Sequence, residues 1–262
     1  MALDAAMAEH CLESGNISTL RVYGWQPHAI SLGFHQSPQD LDLEKCRRNE
    51  IDVVVRPTGG RAILHADEIT YAVIIPRSSR HFDREILKVY ELISQCLIAA
   101  LRRLRINVSF ERARSTPKDF SRGELSSLCY ASSVQYEINY QNRKLIGSAQ
   151  RRFEHAILQH GSILVGPKHL DLADYLAHPD LNWKKAVRRY MARNTLYLNE
   201  LSPEPLTYPT LAQALRQGFS EYLGIELATS EISEREWQIA RNDQRFAILR
   251  NQKDKKPLVS HL

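Results

Sequence analysis

Two β-rich runs constrain this chain more than any other feature: Ile51-Asp52-Val53-Val54-Val55 and Ile69-Thr70-Tyr71-Ala72-Val73-Ile74-Ile75. Only Arg56-Pro57-Thr58-Gly59-Gly60-Arg61 and a short Ala62-Ile63-Leu64-His65 strand separate them. β-Branched and aromatic residues fit a pleated, half-buried surface, so these runs predict a meander in the core of a sheet. The pattern then changes period. Ile86, Val89, Tyr90, Ile93, Leu97, Ala100 and Leu104 recur every three or four residues. That spacing predicts a long helix, starting near Phe82 or Asp83, whose apolar face covers the sheet.

The flanking segments add elements of both kinds. Leu3, Ala6, Met7, His10 and Cys11 predict an opening helix over residues 3–14, with Gly15 just past its end. Leu20 to Tyr23 and Ala29 to Leu32 read as short strands, and a polar helix runs from Pro38 to about Asn49. The alternation of Val134 to Tyr140 predicts a strand with one buried face. Gln141-Asn142 closes it into a hairpin with Arg143 to Ser148, because Asn tolerates positive φ. A two-residue turn sets Lys144 opposite Asn139 on the polar face. His160 to Val165 continues the sheet. Leu211, Leu215, Phe219 and Leu223 mark a late helix, and Ser233 to Glu236 has the form of a capping box. No linker or repeat divides the chain, so residues 1–250 are expected to form one domain, with 251–262 a flexible basic tail.

Composition excludes several classes of function. At 262 residues with 43% hydrophobic content, the chain has material for a substantial core. It has no apolar stretch of about 18 residues and no secretory leader pattern, so a cytoplasmic protein without a membrane segment is expected. The four cysteines, Cys11, Cys46, Cys96 and Cys129, lie far apart and form no Cys-x-x-Cys pair, so no metal site is expected. A net charge of +5 favours acidic partners. The basic residues are spread along the chain and no nucleic-acid-binding motif is present, so nucleic acid is not among the expected partners.

Thr58-Gly59-Gly60 lacks the ending and spacing of a phosphate loop. What two glycines permit is close approach of backbone to a ligand, although such a pair also serves as a plain tight turn. Cys11 and Cys96 fall on helical core stripes, where a thiol is a small packed hydrophobe. Cys129 instead sits at the end of a polar loop, after Ser126 and Ser127 and before a strand. An ammonium about 4 Å from a thiolate contributes roughly 4 kcal/mol at an effective dielectric of 20, and a pKa unit is about 1.4 kcal/mol. Lys144, if close to that sulfur, makes its thiolate dominant; otherwise it is a solvated strand lysine. His65 and His160 stand at strand ends as acid, base, ligand-shaping or merely structural groups. There is no Gly-x-Ser-x-Gly elbow and no His-Glu-x-x-His motif.

Three ordered blocks carry a family resemblance: Arg56-Pro57-Thr58-Gly59-Gly60-Arg61-Ala62-Ile63-Leu64-His65, Arg143-Lys144-Leu145-Ile146-Gly147-Ser148-Ala149-Gln150, and Leu158-Gln159-His160-Gly161-Ser162-Ile163-Leu164. Together they resemble the signature of the biotin/lipoate A/B protein ligase family, over roughly residues 1–180. The resemblance implies an α+β fold with a mixed central sheet flanked by helices, like the class II aminoacyl-tRNA synthetase and biotin synthetase catalytic domains. It also implies a narrow tunnel for a linear acyl chain. Arg56, Thr58, Gly59, Gly60 and Arg61 correspond to the block that lines the family's pocket, and Lys144 to the lysine that contacts the acyl carbonyl. By the same token His65, Gly147, Ser148, Ala149, His160 and Gly161 fall among the substrate-binding positions.

Cys129-Tyr130-Ala131-Ser132-Ser133 stands where the cysteine-dependent octanoyltransferase branch has its nucleophile, and Pro57 and Arg61 depart from the ligase pattern in the direction of that branch. The implied reaction is ping-pong transfer of an octanoyl group from acyl carrier protein, through a Cys129 thioester, to a lysine of a lipoyl-domain or GcvH-like protein. Such a reaction needs no cofactor, and carrier proteins of this kind tend to be acidic, in keeping with the positive charge of the chain. Lys184, Lys185, Arg188, Arg189 and Arg193 form a cationic run that docks them or is simply a solvated helix face. Two other readings stand beside this one: an ATP-dependent lipoate ligase, and a noncatalytic relative that binds acyl groups or carriers.

Overall fold

The computed structural model describes residues 1–13, 15–112, 136–246 and 248–249. Its architecture is α+β. A large sheet contains β1 (Thr19–Tyr23), β5 (Glu68–Pro76), β9 (Ala156–Leu164), β8 (Arg143–Arg152), β7 (Tyr136–Tyr140) and β6 (Ser109–Arg112), in that spatial order. All of its pairings are antiparallel. A small sheet holds β2 (Ala29–Leu32) between β3 (Asp52–Val55), parallel to it, and β4 (Ile63–His65), antiparallel. The mixture of parallel and antiparallel pairing expected of the fold resides in this small sheet.

The Ile69 to Ile75 run is nearly continuous in apolar residues because β5 is covered on both faces. Ile69, Tyr71, Val73 and Ile75 pack with α3 (Ile86–Arg103) and α6 (Tyr208–Leu223). Ala72 and Ile74 pack on the opposite side with α1 (Ala2–Glu9) and with Ala240 of α7 (Glu234–Asn242). Each such aliphatic side chain withdrawn from water contributes about 1.5–3 kcal/mol. A third cluster joins the small sheet to α2 (Leu43–Arg48), α4 (Leu172–Tyr175) and α5 (Leu181–Asn194).

Several expectations need correction. The β3, β4 and β5 runs do not form one meander, because β3 and β4 flank β2 in the small sheet while β5 lies between β1 and β9. Helix α3 begins at Ile86 and not near Phe82, since the Asp83 carboxylate accepts the Glu85 N–H at 2.8 Å and holds the chain in a turn. The opening helix ends at Glu9, short of the expected end at residue 14. The segment after Pro38 is a short 3-10 turn followed by α2, whose Asp42 cap accepts the Lys45 N–H.

Other expectations hold in detail. Gln141 and Asn142 have φ of 47° and 65°, the signature of a two-residue turn that matches strand twist. Asn139 pairs with Lys144 as that turn requires. Ser233 and Glu236 form the reciprocal capping box at the start of α7. Among the described residues no helix is long and apolar enough to cross a membrane. The expected tail, 251–262, and the loop carrying Cys129 lie outside the described residues.

Candidate active site

A cavity of about 380 Å³ opens along the seam between the two sheets, within the usual range of small-molecule pockets. The small sheet and its loops contribute Arg56, Gly59, Gly60 and His65 to its wall. The large sheet contributes Lys144, Gly147, Ser148, Ala149, His160 and Gly161. The Arg56 to His65 block thus meets the two neighbouring blocks of β8 and β9, far along the chain, around one space. Thr58 and Arg61 are not among the lining residues.

Arg56 shapes the Gly-Gly loop from within. The side chain is 2% exposed and donates to the Ser31 carbonyl at 3.0 Å, the Gly59 carbonyl at 2.9 and 3.1 Å, and the Arg61 carbonyl at 2.8 Å. A planar, permanently charged fork suits this geometry. Gly60 has φ +92°, and a Cβ placed on Gly33 would sit 1.9 Å from its carbonyl oxygen. The close approach that the glycines permit is therefore partly to Gly33, while the Gly59 Cβ position meets nothing within 4 Å.

Thr58 stands behind the wall, fully buried, with its hydroxyl 2.6 Å from His160 Nε2. His160 Nδ1 lies 3.6 Å from the Asp4 carboxylate, which also pairs with Arg21 and accepts from the Tyr23 hydroxyl at 2.7 Å. Burial holds the His160 pKa below its ordinary value, against the opposing pull of Asp4, so the ring is neutral at pH 7. His65 is stacked on Trp25 with ring centroids 4.4 Å apart. Its Nε2 is 2.8 Å from the Ser31 hydroxyl, and its Nδ1 is 3.3 Å from Glu68. Glu68 in turn accepts from Thr70 at 2.8 Å and Ser162 at 2.5 Å. Both histidines are held in hydrogen-bonded networks that fix the pocket wall.

Lys144 is neither a solvated strand lysine nor a lone cation. It is 7% exposed, and its Nζ meets the Glu137 carboxylate at 2.5 Å. The register slips by one between Ile138 and Asn139, so that Ile138 faces Ile146 and Leu145 is the extra residue of a bulge. Behind Lys144 the chain is tied to the end of α5: Thr195 bridges to Lys144, and the Leu196 N–H donates to the Lys144 carbonyl at 3.0 Å. Ser148 and Tyr71 share a hydrogen bond of 2.7 Å on the neighbouring stretch of wall. Gly161 is required there, since its Cβ would fall 2.4 Å from the Gly147 carbonyl oxygen.

Sequence reasoning missed Glu137, Ser31, Thr70 and Ser162. Glu137 was within reach, because it lies two residues from Asn139 on the same strand face and so diagonal to Lys144. Ser31 also carried a signal as a polar residue inside the apolar Ala29-Ile30-Ser31-Leu32 strand, fully buried. The three described thiols, Cys11, Cys46 and Cys96, are buried. Burial raises all of them, Cys46 to about 11 and Cys96 to about 12, which makes each a poor nucleophile at neutral pH. Among the described residues no cluster of potential metal ligands occurs.

Comparison with known proteins places the chain among relatives. The lipoyl protein ligase A/B catalytic domain model matches residues 1–220. The octanoyltransferase LipM of Kyrpidia tusciae is 34% identical over 243 residues, covering 92% of this chain and 88% of that protein. The octanoyltransferase LipM of Geobacillus kaustophilus is 33% identical over 229 residues, covering 87% and 82%. Among solved structures, the bipartite lipoate protein ligase of a Thermoplasma acidophilum lipoylation system, studied with its E2 lipoyl domain, superposes with a TM-score of 0.70. It shares 22% identity over 92% of this chain and 86% of that one, a likeness of fold. A domain match over most of the length, together with relatives above 30% identity across about nine-tenths of it, establishes that this chain belongs to the lipoyl protein ligase A/B catalytic domain family.

Proposed function

We propose that the chain is a protein N-octanoyltransferase. The observation that carries this reading is the seam cavity, walled by all three signature blocks and lined by the buried Lys144, which is paired with Glu137. The curated relatives, octanoyltransferases over nearly their whole length, point the same way. The donor is an octanoyl thioester of acyl carrier protein, and the acceptor is a lysine of a lipoyl-domain or GcvH-like protein, in the cytoplasm.

The Cys129 thiolate adds to the thioester carbonyl, the carrier's thiolate leaves, and an octanoyl-enzyme thioester remains in the pocket. The acceptor amine then attacks this thioester, the Cys129 thiolate leaves, and the amine loses its proton as the amide forms. Lys144 steadies the developing oxyanion. A thioester is already activated, so the reaction calls for neither ATP nor metal.

Glu137 tempers the electrostatics. With a carboxylate about 2.5 Å beyond the ammonium, the gain for a thiolate about 4 Å from Lys144 falls from roughly 4 to under about 2 kcal/mol. That still corresponds to about one pKa unit, enough to enrich the thiolate without making it dominant. The test is intact mass after exposure to octanoyl-acyl carrier protein without ATP. A gain of one octanoyl group, abolished by Cys129→Ala, supports the reading. A strict ATP requirement for transfer, or no acyl gain at all, overturns it in favour of a ligase or a binding protein.

A further inference from the structure

Among the described residues, helix α5 differs from every other helix of eight residues or more. It carries Lys184, Lys185, Arg188, Arg189 and Arg193 and no acidic residue, whereas α1, α3, α6 and α7 all contain acidic side chains. Val187 and Met191 form its buried stripe. Lys185, Arg188, Arg189 and Arg193 fall at i, i+3, i+4 and i+8 on the opposite, exposed face, about 12 Å long at 1.5 Å per residue. Arg188 is paired with Asp171 at 2.7 Å and with Asp174. Among the described residues Lys185, Arg189 and Arg193 have no carboxylate partner.

The position of this face gives it a use. Thr195, the residue that caps α5, bridges directly to Lys144, and Arg143 donates to the Thr195 and Ala192 carbonyls at 2.9 and 3.4 Å. Tyr190, five residues before the cap, lies close enough to Arg61, Glu137 and Lys144 to feel their charges. The cationic stripe therefore ends beside the part of the pocket where the acyl carbonyl has to sit. A helix with charges of one sign concentrates a field that raises the encounter rate of an oppositely charged protein, and exposed interface charges act mainly on that rate.

We propose that the exposed face of α5 is the docking surface for the acidic acyl-donor carrier, which it holds so that the thioester enters at Lys144. This rests on the octanoyltransferase reading for the identity of the donor. Lys185, Arg189 and Arg193 meet the carrier's carboxylates, and the acyl chain runs from there into the seam between the sheets.

The test uses the full chain with Lys185→Glu, Arg189→Glu and Arg193→Glu combined, and a charge-preserving control with Arg189→Lys and Arg193→Lys. Octanoyl-loaded acyl carrier protein and octanoyl-pantetheine, the same thioester without the protein, serve as donors in single-turnover acylation. The expected result is a loss of about tenfold or more in kcat/KM with the protein donor at low salt, no change with octanoyl-pantetheine, and near wild-type behaviour of the control. Direct binding of the loaded carrier, followed by fluorescence anisotropy, should weaken in parallel, and this readout needs no turnover. If the wild type binds the carrier through α5 yet transfers nothing, the function fails while the docking surface stands. Equal losses with both donors, unchanged binding and transfer, or a loss confined to the acceptor step each overturn the proposal.

Discussion

Replacing Lys144 by methionine keeps most of the side-chain volume and removes the charge, leaving the Glu137 carboxylate, only 15% exposed, against an apolar group. Breaking a buried ion pair from one side costs about 3–5 kcal/mol. Residual solvent contact at Glu137 favours the lower end, about 3 kcal/mol. At about 2–4 °C per kcal/mol for a chain of this size, the melting midpoint should fall by roughly 6–12 °C. Glu137→Gln instead removes the carboxylate that the ammonium meets, at 8% exposure, and should cost a similar amount. The double variant removes both charges, so its loss should be at least about 2 kcal/mol smaller than the sum of the single losses. Urea unfolding followed by circular dichroism measures all four proteins, with unchanged m values confirming that stability alone has moved. Activity should separate from stability, because the double variant recovers part of the lost stability but still lacks the cation that the proposed mechanism uses. Single variants as stable as wild type, or strictly additive losses, would refute the idea that this pair acts as one buried unit.

Gly161→Ala drives a methyl group into the Gly147 carbonyl and the Tyr71 ring, at 2.4 and 2.7 Å. It should cost about 1–3 kcal/mol or more by overpacking, and should weaken octanoate binding measured by calorimetry because the pocket wall must move. Iodoacetamide at pH 7.5 should label one thiol per native chain, at Cys129, since burial raises the other three; peptide mapping that finds Cys46 or Cys96 modified first would contradict this. Burial holds His160 and His169 below the ordinary imidazole range, so the unfolded chain takes up protons near pH 6.5 that the folded chain refuses. Stability is therefore complete above that pH and declines below it, by up to about 1.4 kcal/mol per histidine at one unit below. Melting curves at pH 7.5 and 5.5 should show the drop, and His169→Gln should flatten it; an unchanged slope in that variant would show that His169 is not responsible.

Local chemistry was legible in the sequence and long-range pairing was not. The Gln141-Asn142 turn and the alternation before it were sufficient to place Lys144 opposite Asn139, because turn type and strand period act within a few residues. The capping box at Ser233 was equally local. By contrast, the assignment of β2, β3 and β4 to their own sheet depends on contacts among segments whose β-propensities are alike. Nothing in the period of Ile51 to Val55 distinguishes a strand parallel to β2 from one antiparallel to β5. Resemblance to known sequences supplied the grouping of the three blocks, which propensity alone could not provide.

The pocket follows from that same division into two sheets. Its wall combines Arg56, Gly59, Gly60 and His65 from one sheet with Lys144, Gly147 and His160 from the other, so neither sheet contains a site by itself. Each side of the seam is held by backbone packing: Gly33 against Gly60 on the small-sheet side, and Gly161 against Gly147 on the large. A wall set by main-chain contacts is stiffer than one set by side-chain rotamers, because deforming it moves whole strands. Stiffness suits a ligand that is a flexible linear chain, since a preformed slot spares the protein any ordering cost and leaves only that of the chain. The polar groups then have a narrower task. Thr58 and Asp4 hold His160, Glu68 and Ser31 hold His65, and Glu137 holds Lys144, so that each group facing the slot is fixed before any ligand arrives.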